Sequence, residues 1–150
     1  MDEVDIFLQA DAAYDTGDLA SAFNLFLQAA EKGNCDAMCR IALMYESGEG
    51  IACDIDKSIY WDLKAIDAGS TTSLLNLGIT YRRLGNIRKA KYWFEKSLET
   101  GDGEAALELA RLYSVSDKEI DTVKRYLNIA ISSNSLSEAS LEEARELSSL

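Results

Sequence analysis

Cys35 and Cys39 stand four residues apart, a spacing that on a helix sets two thiolates one turn apart and supplies half of a tetrahedral zinc site. Such a site needs four ligands, Cys53 is the one remaining cysteine, and the chain has no histidine. The missing imidazole also removes every catalytic triad, dyad or metal centre that depends on it. Carboxylate pairs such as Glu142 with Glu143, or Asp54 with Asp56, are of the right type for general acid–base work. Among 26 acidic side chains such neighbours arise by chance, and their spacing does not set them about a cleft. Gly48-Glu49-Gly50-Ile51 is glycine-rich but lacks the Lys-Ser/Thr ending and the preceding strand of a phosphate loop, so it reads as a turn. The residues predict a protein that is not an enzyme, with no metal and no cofactor.

What organises the chain is repetition. Tyr14, Tyr45, Tyr81 and Tyr113 recur 31, 36 and 32 residues apart, each closing an apolar stretch of helical period. Gly17, Gly48 and Gly85 follow three of them by three or four residues, where a helix must end and turn back. Gly33, Gly69 and Gly101 come after a second helical stretch, and Asn134 takes that place in the fourth unit. Asp18, Asn34, Asp56, Ser70, Asn86, Asp102 and Asp117 stand as helix N-caps, and Ser135 with Glu138 forms a capping box. The pattern predicts helices over 3–15, 19–32, 36–47, 56–68, 71–84, 87–99, 103–114, 119–133 and 136–149, that is, four hairpins and a capping helix. The hairpins cover about 4–33, 35–69, 71–101 and 103–134, in one domain spanning 1–150.

Within each second helix the apolar positions keep register across the units. Ala22, Ser58, Ala90 and Val123 align, then Leu25, Trp61, Trp93 and Tyr126, then Ala29, Ala65, Ser97 and Ala130. Small residues allow close helix approach and large ones fill the gap, so the aromatic stripe is expected in the core rather than as a ligand cage.

An apolar fraction of 47% in 150 residues is enough for a sizeable core. The net charge of −11 sets most of the surface against a phosphate backbone, which argues against direct nucleic-acid binding. The charge is unevenly spread. Residues 1–67 hold 14 acids and 4 bases, 68–101 hold 2 and 6, and 102–150 hold 10 and 5. The opening Met-Asp-Glu-Val-Asp is acidic where a secretory signal is positive, and no run approaches the roughly 18 apolar residues of a membrane span. The expectation is a cytoplasmic protein without membrane contact, its cysteines reduced and Cys35 and Cys39 acting as small apolar residues on one helical face.

The second unit, with Tyr45, Gly48, Gly50, Ile51, Asp54, Lys57, Ser58, Trp61, Lys64-Ala65 and Gly69, resembles the Sel1-like repeat, a relative of the tetratricopeptide repeat with a longer turn in the hairpin. The third unit has the shorter turn and is similar to the tetratricopeptide form. The first and fourth diverge, Asp11 standing where Ala42, Gly78 and Ala110 stand in the others. The resemblance implies an all-α, right-handed superhelix (solenoid) of antiparallel hairpins with a concave face lined by the first helix of each pair. It also implies a non-enzymatic scaffold for other proteins.

Carried over by register, that face holds Asp5, Leu8, Ala12 and Asp15, then Asp36, Cys39, Leu43 and Glu46, then Thr72, Leu75, Ile79 and Arg82, and finally Glu104, Leu107, Arg111 and Ser114. An apolar ridge of Leu8, Leu43, Ile79 and Leu107 would have acids toward one end and Arg82 with Arg111 toward the other. The expected partner is a protein or peptide with a basic surface. The most concrete form of this expectation is a bacterial, dedicated inhibitor of the immunity type that blocks a toxin by covering its active face. An adaptor in a larger complex and an acidic nucleic-acid mimic are the alternatives. Arg82, Arg83, Arg88, Lys89 and Lys91 form the one dense basic cluster, a second docking patch for an acidic partner or for another copy's acidic half, or else a solvated turn.

Overall fold

Helix starts in this chain are set by side chains that accept the backbone N–H groups left free in a first turn. In a computed structural model describing residues 1–115 and 119–150, Asp2 accepts from the Asp5 N–H at 2.9 Å and Asn34 from that of Ala37 at 2.9 Å. Asp18, Asn86 and Asp102 cap in the same way. Nine helices result among the described residues, and no strand: α1 Glu3–Asp15, α2 Leu19–Glu31, α3 Cys35–Ser47, α4 Ile55–Asp67, α5 Thr72–Arg83, α6 Ile87–Glu99, α7 Gly103–Tyr113, α8 Ile120–Ser132 and α9 Glu138–Ser148.

Two expected caps move. Asp54, not Asp56, caps α4 by accepting from the Lys57 N–H at 3.1 Å, because its own N–H is tied to the Tyr45 carbonyl at 2.9 Å and brings the chain back to the start of the helix. Ser137, not Ser135, caps α9, while the Ser135 hydroxyl accepts from the Gly103 N–H at 2.8 Å and so serves the start of α7. Ser70 accepts from the Ser73 N–H at 3.3 Å, near the start of α5. The expected cap Asp117 lies outside the described residues.

The chain forms two compact units, Met1–Ser73 and Leu74–Leu150. In the first, Phe26 is buried and meets Phe7 edge-on at 5.4 Å, while Phe23 meets Tyr45 edge-on at 5.3 Å. Ile6, Ala10, Ile41 and Met44 complete that core. The second is built on Phe94, Leu107, Leu109, Leu127 and Ala144, with Tyr113 stacked on Tyr126.

The second-helix register is observed with one shift. Trp61 and Trp93 are half-buried, each edge-on to its neighbouring tyrosine, Tyr60 or Tyr92. The deepest column lies one residue further on, at Phe26, Asp62, Phe94 and Leu127. Three of its members are large and apolar; the fourth is a carboxylate.

At Gly78 a Cβ would lie 2.4 Å from the Phe94 ring, so α5 and α6 touch where no side chain fits. Gly78→Ala is expected to destabilise the protein by about 2–3 kcal/mol in denaturant unfolding, the cost of overpacking a filled core. The double variant with Phe94→Leu should cost less than the sum of the two single changes, since the smaller side chain relieves the clash.

Candidate protein-binding surface

The first helix of each hairpin in the first unit turns one stripe to solvent. On α1 the stripe is Asp5, Leu8, Ala12 and Asp15, all exposed, with Leu8 at 59%. On α3 it is Asp36 and Leu43, exposed, with Glu46 half-buried. Arg40 joins the two helices, 3.4 Å from Asp11 and with its guanidinium 5.8 Å from the Tyr14 ring centre. Two exposed leucines therefore stand beside Asp5, Asp15 and Asp36, carboxylates that make no ion pair among the described residues. An apolar contact with charge around it is the chemistry by which proteins recognise proteins.

Cys39, also expected on that face, is buried. Its sulfur lies 3.1 Å from the Ser70 hydroxyl and 3.1 Å from the Ser73 hydroxyl. It is thus part of a polar cluster rather than a small apolar filler or a groove residue. Cys35 is half-buried, with burial raising its thiol pKa, and Cys53 is exposed, its sulfur 3.3 Å from the Glu46 carbonyl. No group of three or more metal-ligating side chains occurs among the described residues.

In the second unit the picture differs from expectation. Leu107 is fully buried, because α7 is enclosed along nearly its whole length, so it cannot continue an apolar ridge. Ile79 and Leu75 are half-buried against the same core, Thr72 is exposed and Glu104 is half-buried. Arg82 and Arg111 are not open cations. Both pair with the buried carboxylate of Glu108, Arg111 at 2.6 Å, and Arg111 also reaches Glu143 through its Nε at 2.8 Å and through Nη2. These bonds lower the Glu143 pKa and raise that of Arg111. The network joins α5, α7 and α9, and its charge is consumed internally. Spacing on α7 carries only the Glu108–Arg111 pair, three residues apart; Arg82 comes from α5 and Glu143 from a helix outside the hairpins.

Of the basic cluster, Lys91 sits 3.9 Å from the Tyr113 ring centre and Lys89 5.0 Å from that of Tyr81, both cation–π contacts. Arg88 and Lys89 are exposed and make no ion pair among the described residues.

Asp62 was not among the residues singled out from the sequence. It is 2% exposed, and burial pushes its carboxyl up to about 7, a hydrogen bond from Ser73 acting against the shift and the charge of Glu46 adding to it. Its Oδ1 and the Ser58 hydroxyl, one turn earlier on α4, have no hydrogen-bond partner among the described residues. The sequence signal was present in the register: Asp62 stands in the column of Phe26, Phe94 and Leu127.

Helical hairpins in series, with the first helices α1 and α3 presenting a stripe to solvent, define a repeat protein of the protein-binding kind. The Sel1 repeat pattern matches residues 10–34, 35–70 and 73–102, and the chain belongs to this family. Sel1 repeats are scaffolds for protein–protein interaction and are generally non-enzymatic. The chain is similar to the ERAD-associated E3 ubiquitin-protein ligase component HRD3A of Arabidopsis thaliana, 40% identical over 62 residues that cover 41% of this chain and 9% of that protein. It is thus matched to only a small part of that relative. A Sel1 repeat protein from Oxalobacter formigenes superposes with a TM-score of 0.75 at 18% identity, covering 96% of this chain and 58% of that one. A protective antigen of uropathogenic Escherichia coli displaying an SLR fold gives 0.79 at 17% identity, covering 97% and 33%. These likenesses show the all-α repeat fold. Among the described residues no helix is long and apolar enough to cross a membrane.

Proposed function

We propose that the chain binds a protein with a basic, partly apolar surface through the exposed stripes of α1 and α3, and that it does so as a dedicated inhibitor of the immunity type. The observation that carries this reading is the pairing of exposed Leu8 and Leu43 with carboxylates at Asp5, Asp15 and Asp36 that make no ion pair among the described residues. Exposed apolar side chains supply contact energy, and the acids speed encounter and fix orientation. The net charge of residues 1–67, 14 acids against 4 bases, suits a basic target such as a nuclease. The cytoplasm is the compartment this reading assigns.

Capture of the tagged protein from its native extract, washed at low and at moderate salt, tests the inhibitor form. One basic partner at equal ratio that survives moderate salt is the expected result. Many substoichiometric partners lost on washing would replace the inhibitor with an adaptor, a reading favoured by the similarity to a ligase-complex component.

A further inference from the structure

The tip of the hairpin between α5 and α6 carries an unusual combination. Leu84 and Ile87 are both exposed, Leu84 at 55%, and they flank the turn at Gly85 and Asn86. Arg83, Arg88 and Lys89, all exposed, surround them, and neither Arg88 nor Lys89 has a carboxylate partner among the described residues. The tip is a small apolar patch ringed by positive charge. Its complement lies in the same chain. On α1, Val4 and Leu8 are exposed one turn apart, and Asp5 and Asp15 on the same helix make no ion pair among the described residues. Both surfaces expose two branched apolar side chains, and their charges are opposite.

We propose that the tip of one copy docks on α1 of a second copy, placing Leu84 and Ile87 against Val4 and Leu8, with Arg88 and Lys89 facing Asp5 and Asp15. The contact joins two different patches, so it is heterologous, and each copy retains one free patch for the next. Self-association occupies the face to which the proposed function assigns the partner, so a basic target must displace the neighbouring copy. The contact forms without any partner present, and its failure would leave the partner-binding reading standing.

The experiment is light scattering of the purified chain over a concentration series, at low and high salt. Masses above the monomer that rise with concentration, and an association at least about tenfold weaker at high salt, are expected for a contact built on exposed charge. Variant Arg88→Glu/Lys89→Glu and variant Asp5→Lys/Asp15→Lys should each be monomeric, while an equimolar mixture of the two should associate, because opposite charges then meet again. Helix content by circular dichroism shows that both variants fold. A monomer under all conditions, association that survives either reversal, or a mixture that stays monomeric would overturn the proposal.

Discussion

Raising the pH from about 4 to 7 is expected to cost the protein the stability tied to the Asp62 proton, a loss that outweighs the opposite contribution of the lowered Glu143 carboxyl, and Asp62→Asn is expected to remove it. The folded chain holds the Asp62 carboxyl at about 7, against the ordinary value of 3.8 in the unfolded chain. The folded state therefore binds the extra proton between those values, and stability falls as pH rises through the window, reaching its full loss above pH 7. A gap of this size corresponds to about 4 kcal/mol at about 1.4 kcal/mol per pH unit. The cause is desolvation: a carboxylate occupies a core position that Phe26, Phe94 and Leu127 hold in the other hairpins. Asp62→Leu should then raise stability above pH 7 by about 2 kcal/mol or more, since an apolar side chain replaces a buried charge and the Ser73 hydroxyl keeps the Cys39 sulfur as partner. Urea unfolding at pH 5 and pH 8 checks both variants. A wild-type chain more stable at pH 8, with Asp62→Asn unchanged in slope, would contradict the assignment.

Gly50→Ala should be the most damaging of the turn substitutions. Its φ is +72°, which costs an L-residue about 1–2 kcal/mol, and an added Cβ would lie 2.2 Å from the carbonyl oxygen of Leu19. The clash is with backbone at the start of α2, so relief requires the whole α3–α4 turn to move. A loss of about 3 kcal/mol or more follows. Gly17 serves as the control, with φ +83° but open space around it, so Gly17→Ala should cost only the backbone term of about 1–2 kcal/mol. Thermal unfolding of the two variants side by side separates strain from collision. Equal losses would mean that the long turn does not pack against α2 as observed.

The helices were legible because this chain punctuates them chemically: Gly48 takes the left-handed C-cap of α3, and Asp18, Asn34, Asn86 and Asp102 accept first-turn N–H groups. The shift from Asp56 to Asp54 was not legible, because the choice between two nearby aspartates is made by the distant Tyr45 carbonyl. The acidic stripes of α1 and α3 were legible because helical spacing alone places them. The basic end of the expected groove was lost for a reason local spacing contains only in part: Glu108 stands three residues from Arg111 on α7, but its pairing with Arg82 and that of Glu143 with Arg111 cross between helices. Asp62 was readable in principle: alignment of the buried columns leaves one carboxylate among large apolar residues.

The surface reading stands or falls on the α1 and α3 stripes. Calorimetric titration of an isolated basic partner into the wild-type chain and into Asp5→Lys/Asp15→Lys/Asp36→Lys/Glu46→Lys, at dilute monomer concentration, tests it most directly. The predicted result is an affinity weaker by about a hundredfold or more in the variant, with Glu138→Lys/Glu142→Lys on α9 as a charge control that binds as tightly as the wild type. Unchanged affinity in the stripe variant, or an equal loss in the α9 control, would contradict the assignment of the partner to this face.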